Sequence, residues 1–191
     1  YLDAMYKMAV MKGTNLTLAA QYLKQSEDGD KLAGKLNFSM YGAKAKIGNK
    51  KWSAYLAYNA SNDQANDTTG VSNPVESGFH NVFGADPAYT SSIFSRNAYR
   101  QDVSAYKIGA SYKIMKGLKI MVSHADYGKS KTTSAWSGGL TPTRDAVETD
   151  IVLVYKPTKA VMLKIFNAQR TSEYAYDSNG AVTEGKMNHV R

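Results

Sequence analysis

The amino-acid sequence predicts an all-β protein whose antiparallel strands follow one another in an up-and-down order. Three observations support this prediction: apolar and polar residues alternate with period two, short and long connections alternate, and Tyr and Trp lie on the apolar faces near the segment ends. Alternation with period two is the pattern of a strand whose two faces have different surroundings. No segment keeps a 3.6-residue period, so we expect little helix.

The first four predicted strands each place apolar residues on one face and mostly polar residues on the other. The apolar sets are, in order, Leu2, Ala4, Tyr6, Met8 and Val10; Leu16, Leu18, Ala20 and Tyr22; Leu32, Leu36, Phe38 and Met40; and Trp52, Ala54, Leu56 and Tyr58. In the third strand this assignment puts Lys35, Asn37, Ser39 and Tyr41 on the polar face.

Four further strands repeat the pattern, and a ninth begins near residue 185. Their apolar sets are Tyr106, Ile108, Ala110, Tyr112 and Ile114; Leu118, Ile120 and Val122; Thr149, Ile151, Leu153 and Tyr155; and Val161, Leu163 and Ile165. Segments of about ten residues are long enough to cross a bilayer as tilted strands.

The connections between these strands differ in length in a regular order. Short turns are predicted at 12–14, 48–50, 115–117 and 156–159, and the polar stretches between them lie at about 24–31, 62–101, 126–147 and 170–185. A transmembrane β-barrel has short turns at one end and long loops at the other, whereas a soluble β-sandwich need not sort its loops by length. The connections therefore favour the membrane barrel.

The composition agrees with a barrel and excludes several other classes. The mean hydropathy is −0.43, which a barrel reaches because only alternate residues face lipid. No apolar run approaches the length of about 18 residues that a transmembrane helix needs. Cysteine is absent, and the net charge of +8 is spread over strands and turns without a basic stripe, so we expect no nucleic-acid partner.

The strand count predicts that residues 1–191 form a single domain that is part of a larger barrel. Eight full strands and an unfinished ninth do not make a closed bacterial barrel, in which strand numbers are even. We therefore expect about half of a barrel of roughly 16–18 strands, a size that leaves an aqueous channel. A closed eight-stranded barrel, filled by its own side chains, is the alternative.

The run from Phe83 to Ser92, continuing through 94–100 and then 105–112, resembles the major outer-membrane porins of the Campylobacter type and, more distantly, OprD-type porins. The most specific part is Tyr-Thr-Ser, then Ala-Tyr-Arg, then Ala-Tyr-Lys-Ile-Gly-Ala-Ser-Tyr. The resemblance implies an 18-stranded barrel in a Gram-negative outer membrane, a homotrimer, and passage of small hydrophilic solutes. It also implies weak cation preference, and it allows weak binding of Ca²⁺ by loop acids.

If the apolar faces meet lipid, the polar faces line water. The predicted pore-lining residues are Asp3, Lys7, Gln21, Lys35, Asn37, Ser39, Ser53, Tyr55, Lys107, Lys119, Asp150 and Lys164. Lysines outnumber carboxylates in this set, which favours anions in a narrow pore unless the lysines pair with acids across it. Because the resemblance implies the opposite preference, ion selectivity stays open at this point.

The long stretch 62–101 is predicted to fold into the barrel and narrow it, with Asp86, Arg96 and Arg100 as constriction candidates. Its Phe and Tyr residues indicate that part of it packs against another surface, and an outward cap or a trimer contact is the alternative.

Signals of enzymatic activity or of a bound metal are weak. The three histidines are far apart, no nucleophile elbow or phosphate-binding loop is present, and Asp28-Gly29-Asp30 lacks the downstream Glu of a calcium loop. We therefore predict no enzyme, no metal site and no required cofactor.

The sequence thus predicts an outer-membrane porin, a passive channel for ions and small hydrophilic solutes. Its expected surroundings are outer-membrane lipid, lipopolysaccharide and further copies of itself. A surface β-rich binding or adhesin module without channel activity is the alternative function.

Overall fold

A computed structural model describes residues 1–26, 37–62, 87–95, 102–128, 140–178 and 181–190, with the backbone alone at 37, 140–144, 172–178 and 181–190. Over these ranges the chain forms strands and no helix, and hence no helix that could cross a membrane. The strands are β1 (Leu2–Met11), β2 (Thr14–Ser26), β3 (Asn37–Gly48), β4 (Trp52–Ser61), β5 (Ser104–Met115), β6 (Leu118–Tyr127), β7 (Leu140–Tyr155), β8 (Leu163–Ser178) and β9 (Ala181–Val190).

The strands form one sheet in which the spatial order is the sequence order, β1 to β9, and every neighbouring pair is antiparallel. This confirms the all-β, up-and-down fold. The β1–β2, β3–β4, β5–β6 and β7–β8 connections meet at one end of the sheet, which we name the turn end. The other end, where the β2–β3, β4–β5 and β6–β7 connections lie, is named the loop end.

The connection between β8 and β9 differs from the prediction. The sequence predicted a loop at about 170–185, but β8 runs to Ser178, and β9 starts at Ala181 with these two residues paired. The loop prediction was wrong for most of this stretch. The two residues between the strands are Asn179-Gly180, a dipeptide that favours a two-residue hairpin connection. Strands also occupy both ends of the predicted 126–147 loop.

One face of the sheet is covered by residues 87–95, and we name it the inner face; the opposite side is the outer face. On the outer face of β1 to β5, most cross-strand pairs are apolar or aromatic, for example Leu18 with Ala45 and Leu56 with Ile108. The side chains of Leu56 and Ile108 are 57% and 61% exposed. An uncovered apolar face of this extent is unusual for a protein in water and indicates that an apolar environment or a partner covers it.

The two faces of β3 are exchanged relative to the sequence prediction. Tyr41 pairs with Tyr22 on the outer face, which places Phe38 and Met40 on the inner face and Ser39 on the outer face. The prediction that Ser39 lines a pore was therefore wrong. Phe38 and Met40 are buried with Leu23 in a core at the loop end, so these apolar residues pack inside the protein instead of facing outward. Lys35 and the side chain of Asn37 lie outside the described residues.

The inner-face core exists because a second layer covers the sheet there. Ala88 from the segment 87–95 and Val103, just before β5, pack on small residues of the strands. The small strand residues are Ala105, Ala125 and Ala146, and the ring of Tyr127 lies beside them. Small side chains leave room for the covering backbone to approach the sheet, which buries apolar surface from both layers.

Further toward the turn end, Tyr55 of β4 lies over Gly109 of β5, its cross-strand partner. A Cβ atom at Gly109 would overlap the Tyr55 ring, so the ring occupies the space that another residue's side chain would take. An aromatic ring over a strand glycine compensates for the missing packing of that glycine.

Replacing Gly109 with Val is expected to lower the free energy of unfolding by about 1–3 kcal/mol, because the added side chain displaces the Tyr55 ring. Ala110→Val adds the same side chain on the exposed outer face and is expected to cost less than about 0.5 kcal/mol. Heat or urea unfolding followed by circular dichroism measures both variants. Equal effects would contradict the close packing of Tyr55 over Gly109.

Candidate functional site

The segment 87–95 is attached to the inner face through side chains of four successive strands. The first is Asn59 of β4, which is fully buried. Its Oδ1 accepts hydrogen bonds from the backbone N–H and the hydroxyl of Thr90, both at 3.0 Å. Since Asn59 comes from the polar side of an alternating strand, its side chain points to the inner face and is available to the segment.

Tyr127, the last residue of β6, holds the same segment from a different side. Its hydroxyl donates to the backbone carbonyl of Thr90 at 2.6 Å and lies 3.2 Å from the carbonyl of Ser95. The residue is completely buried, so its ring contributes apolar packing while its hydroxyl satisfies carbonyl groups of the segment.

Two carboxylates of β7 bind the segment's backbone N–H groups. Phe94 donates to Oε1 of Glu148 at 2.7 Å, and Ile93 donates to Oδ2 of Asp150 at 3.4 Å. Glu148 and Asp150 stand two residues apart and therefore share the inner face. Both side chains are buried, where a carboxylate is stable only with hydrogen-bond donors or opposite charge nearby.

Lys107 of β5 supplies opposite charge to this group. Its Nζ lies 3.9 Å from Oδ2 of Asp150 and also donates to the carbonyl of Ser91 and to the hydroxyl of Ser92. Lys107 is itself buried, so Lys107 and Asp150 compensate each other beneath the segment. The four strands β4 to β7 thus fix the segment at both backbone donors and backbone acceptors.

At the other end of the segment, Tyr89 reaches toward β1. Its hydroxyl donates to Oδ1 of Asp3 at 3.0 Å. Burial, followed by the hydrogen bond to Asp3, raises the pKa of Tyr89, so it remains a neutral donor at physiological pH. Lys44 Nζ lies 5.6 Å from the Tyr89 ring centre and 4.8 Å from that of Tyr55, distances typical of cation–π contacts.

The inner face is open on the turn side of the segment and is strongly basic there. A cavity of about 340 Å³ beside the segment is lined by Lys44, Lys46 and Lys119, together with the compensated pair of Lys107 and Asp150. A larger cavity of about 1010 Å³ lies at the turn end. The described residues that line it include no acidic residue, and their lysines are Lys7, Lys46, Lys50, Lys51, Lys113, Lys119 and Lys156.

The structure places most of the predicted pore-lining residues on the inner face. By register or by cavity lining these are Asp3, Lys7, Gln21, Ser53, Tyr55, Lys107, Lys119, Asp150 and Lys164. Gln21, Lys107 and Asp150 are buried, and the last two hold the covering segment. A pore-lining role for the exposed members remains a prediction. The constriction candidates Asp86, Arg96 and Arg100 lie outside the described residues.

Sequence reasoning missed three of the residues that anchor the segment, namely Asn59, Tyr127 and Glu148. The alternation already places Asn59 and Glu148 on polar faces, so extending the pattern to the loop ends of β4 and β7 would have found them. Tyr127 gave no such signal, because an aromatic residue suits either face of a strand. Among the described residues, no three His, Cys, Asp or Glu side chains lie together as a metal site.

No known protein-family profile and no curated protein matches the chain. Solved structures do match. The outer membrane protein OprD from Pseudomonas aeruginosa aligns at 13% identity with a TM-score of 0.65, covering 98% of this chain and 51% of that one. OccK9 (OpdG) from the same organism aligns at 14% identity with a TM-score of 0.63, covering 98% and 44%.

OccK1 (OpdK) from Pseudomonas aeruginosa gives a comparable result, with 13% identity, a TM-score of 0.62, and coverage of 97% of this chain and 46% of that one. At these identities the likeness shows the fold, a sheet of the kind found in these barrels. The chain spans about half the length of each matched structure. The resemblance to Campylobacter-type porins remains a prediction.

Asn59→Ala is expected to speed hydrogen exchange at the Thr90 amide about tenfold or more, because that buried N–H loses its acceptor. Gln169→Ala removes an amide side chain from the exposed outer face and serves as the matched control. Hydrogen exchange read by mass spectrometry across residues 87–95 distinguishes them. Unchanged protection at Thr90 in Asn59→Ala would contradict the anchoring role.

Proposed function

We propose that this chain supplies part of the wall of an outer-membrane β-barrel that acts as a passive diffusion channel for small hydrophilic solutes. In this proposal it is not an enzyme and works without a cofactor. The observation that carries the proposal is the contrast between the two faces of one sheet. In the described residues, the outer face is mostly apolar and exposed, and the inner face carries charged residues beside an open cavity.

The outer face has the distribution of residues that a bilayer selects. Trp52 pairs with Tyr112 toward the turn end, and Tyr58 pairs with Tyr106 toward the loop end, with ring centres 4.9 Å apart in the second pair. Within each strand the two rings are six positions apart, which corresponds to about 20 Å at about 3.3 Å per residue. Aromatic residues at two levels with apolar residues between them fit the two interfaces of a membrane.

The solved structures support the same location. OprD is described as an outer membrane protein, and OpdK has been crystallised with vanillate. We carry over to this chain only the general role of an outer-membrane channel. In that membrane, the outer face contacts lipid, and the loop end contacts lipopolysaccharide.

We propose that residues 87–95 narrow the channel. The segment lies on the inner face and is fixed by Asn59, Lys107, Tyr127 and Glu148, so it forms a rigid projection from the wall. Because many backbone groups of the segment are held in place, the channel beside it keeps a constant cross-section.

We further propose that the channel prefers anions. Within the part of the chain that the structure describes, lysines and no carboxylate line the large cavity at the turn end. Fixed positive charge in a narrow aqueous space concentrates anions and repels cations. This lining supports the anion preference that the lysines suggested in the sequence.

The test is planar-bilayer recording of the full-length protein that contains this chain. We expect discrete, ohmic conductance steps at high salt and a reversal potential in a salt gradient that favours anions. The triple variant Lys46→Gln, Lys113→Gln, Lys119→Gln is expected to reduce the anion preference, because it removes charge from the cavity lining. The control Lys12→Gln, Lys116→Gln, Lys159→Gln removes three lysines that lie in turns and do not line the cavity.

Inserted protein that gives no conductance would overturn the channel and favour a β-rich binding module. Cation preference in the unsubstituted protein would overturn the assignment of selectivity to the lysines and leave the channel intact.

We also propose a homotrimer, with part of the outer face of β6 to β8 as the subunit contact. Here the outer face is polar: His124 Nδ1 lies 2.9 Å from the Thr149 hydroxyl, and Gln169 Nε2 donates to Asn167 Oδ1 at 3.2 Å. Polar groups facing hydrocarbon are costly, and a neighbouring subunit offers additional hydrogen-bond partners.

The triple variant His124→Leu, Thr149→Val, Gln169→Leu is expected to lower the temperature at which the oligomer dissociates. Chemical cross-linking and gel mobility in mild detergent measure the oligomer. Leu16→Ala and Leu18→Ala on β2 alter the outer face elsewhere and are expected to leave the oligomer intact. A monomeric unsubstituted protein would refute the trimer.

A further inference from the structure

The acidic residues of this chain are absent from the turn end of the sheet, whereas lysines are present there. The turn end comprises residues 8–16, 47–54, 110–122 and 151–167. These stretches contain nine lysines: one in the first, two in the second and three in each of the other two. These stretches contain no acidic residue, and the chain's 16 acidic residues all lie outside them. Since every residue of these stretches is described, the absence of acidic residues from the turn end is a property of the folded sheet.

Several of these lysines face the aqueous cavity without a compensating charge. Lys113 and Lys119 are cross-strand neighbours on the inner face, and Lys46 lies on the same wall. None of the three has an ion-pair partner among the described residues. The turn-end half of the inner face therefore carries uncompensated positive charge.

The inner face next to the segment 87–95 is different. Lys107 is paired with Asp150, the carboxylate of Glu148 is bound by a backbone N–H, and Asp3 accepts hydrogen bonds from two tyrosine hydroxyls. Along the inner face, the charge thus changes from lysines alone at the turn end to a mixture at the segment, where Asp3, Glu148 and Asp150 lie with Lys44 and Lys107.

A step of fixed charge along a pore makes its conductance depend on the sign of the voltage. With the loop end positive, anions leave the lysine region toward the segment and cations arrive there from the loop side, so both ions accumulate at the step. The opposite voltage draws both ions away and depletes the step. The effect requires a Debye length comparable to the pore radius, about 10 Å at 0.1 M salt and about 3 Å at 1 M.

We propose that the channel is a current rectifier, in which the uncompensated lysines of the turn end make the current larger when the loop end is positive. This rests on the proposed channel function. The asymmetric current is carried mainly by small anions. At equal voltage of opposite sign, they pass more readily from the turn end to the loop end than in the reverse direction.

The test is the current–voltage curve of single channels of the full-length protein in symmetric KCl. At about 0.1 M salt we expect the current at about 100 mV to be on the order of twofold larger with the loop end positive. The ratio is expected to approach one at about 1 M salt. Orientation is established with Ala160→Cys at the turn end, which a thiol reagent too large to pass the channel reaches from one side only; this chain has no other cysteine.

Lys113→Glu with Lys119→Glu is expected to lower the current ratio toward one, because it reduces the formal charge of the seven-lysine cavity lining from +7 to +3. The variant Lys12→Gln, Lys116→Gln is expected to keep the ratio, because neither residue lines the cavity. A silent bilayer would overturn the channel itself. Anion-selective channels with equal currents at both signs, or with the larger current at turn-end positive, would overturn the rectifier and leave the channel standing.

Discussion

The antiparallel hydrogen bonding of the nine strands is the constraint on which the rest of the molecule depends. It satisfies backbone N–H and C=O groups between neighbouring strands, which a bilayer, having no water in its core, requires of any chain that crosses it. It also fixes the side-chain period at two, so each strand presents one residue set outward and another inward. The apolar outer face and the charged inner face are two consequences of the same ladder.

The inner face is more than the polar half of an alternating pattern. At its loop end, it binds a second layer through Asn59, Lys107, Tyr127 and Glu148, and this layer turns part of the face into a core. Buried charges are tolerated there because they meet opposite charge and backbone donors. The same face therefore serves as an anchor near the loop end and as an open basic wall near the turn end.

The turn end and the loop end also differ in chemical character. Lysines without acids occupy the turn end, and compensated charges occupy the level of the covering segment. This order along the strands arises from the sequence, but it acts as an electric field only because antiparallel pairing brings turns distant in the chain to the same end. The anion preference and the current rectification that we propose both rest on this one charge distribution.

The sequence by itself determined the strand order, the sorting of most connections by length, and the inner or outer face of most strands, because a two-residue period and turn composition are local signals. It failed at β3, where Phe38 and Met40 were assigned outward, and at 170–185, where paired strands extend beyond the predicted loop. Only the tertiary structure decided the orientation of β3 and the extent of β8 and β9. An apolar side chain gives the same sequence pattern whether it contacts lipid or a covering segment. The partners of Asn59, Tyr127 and Glu148 lie 31 to 54 residues away in sequence, so their role required contacts that no local pattern specifies.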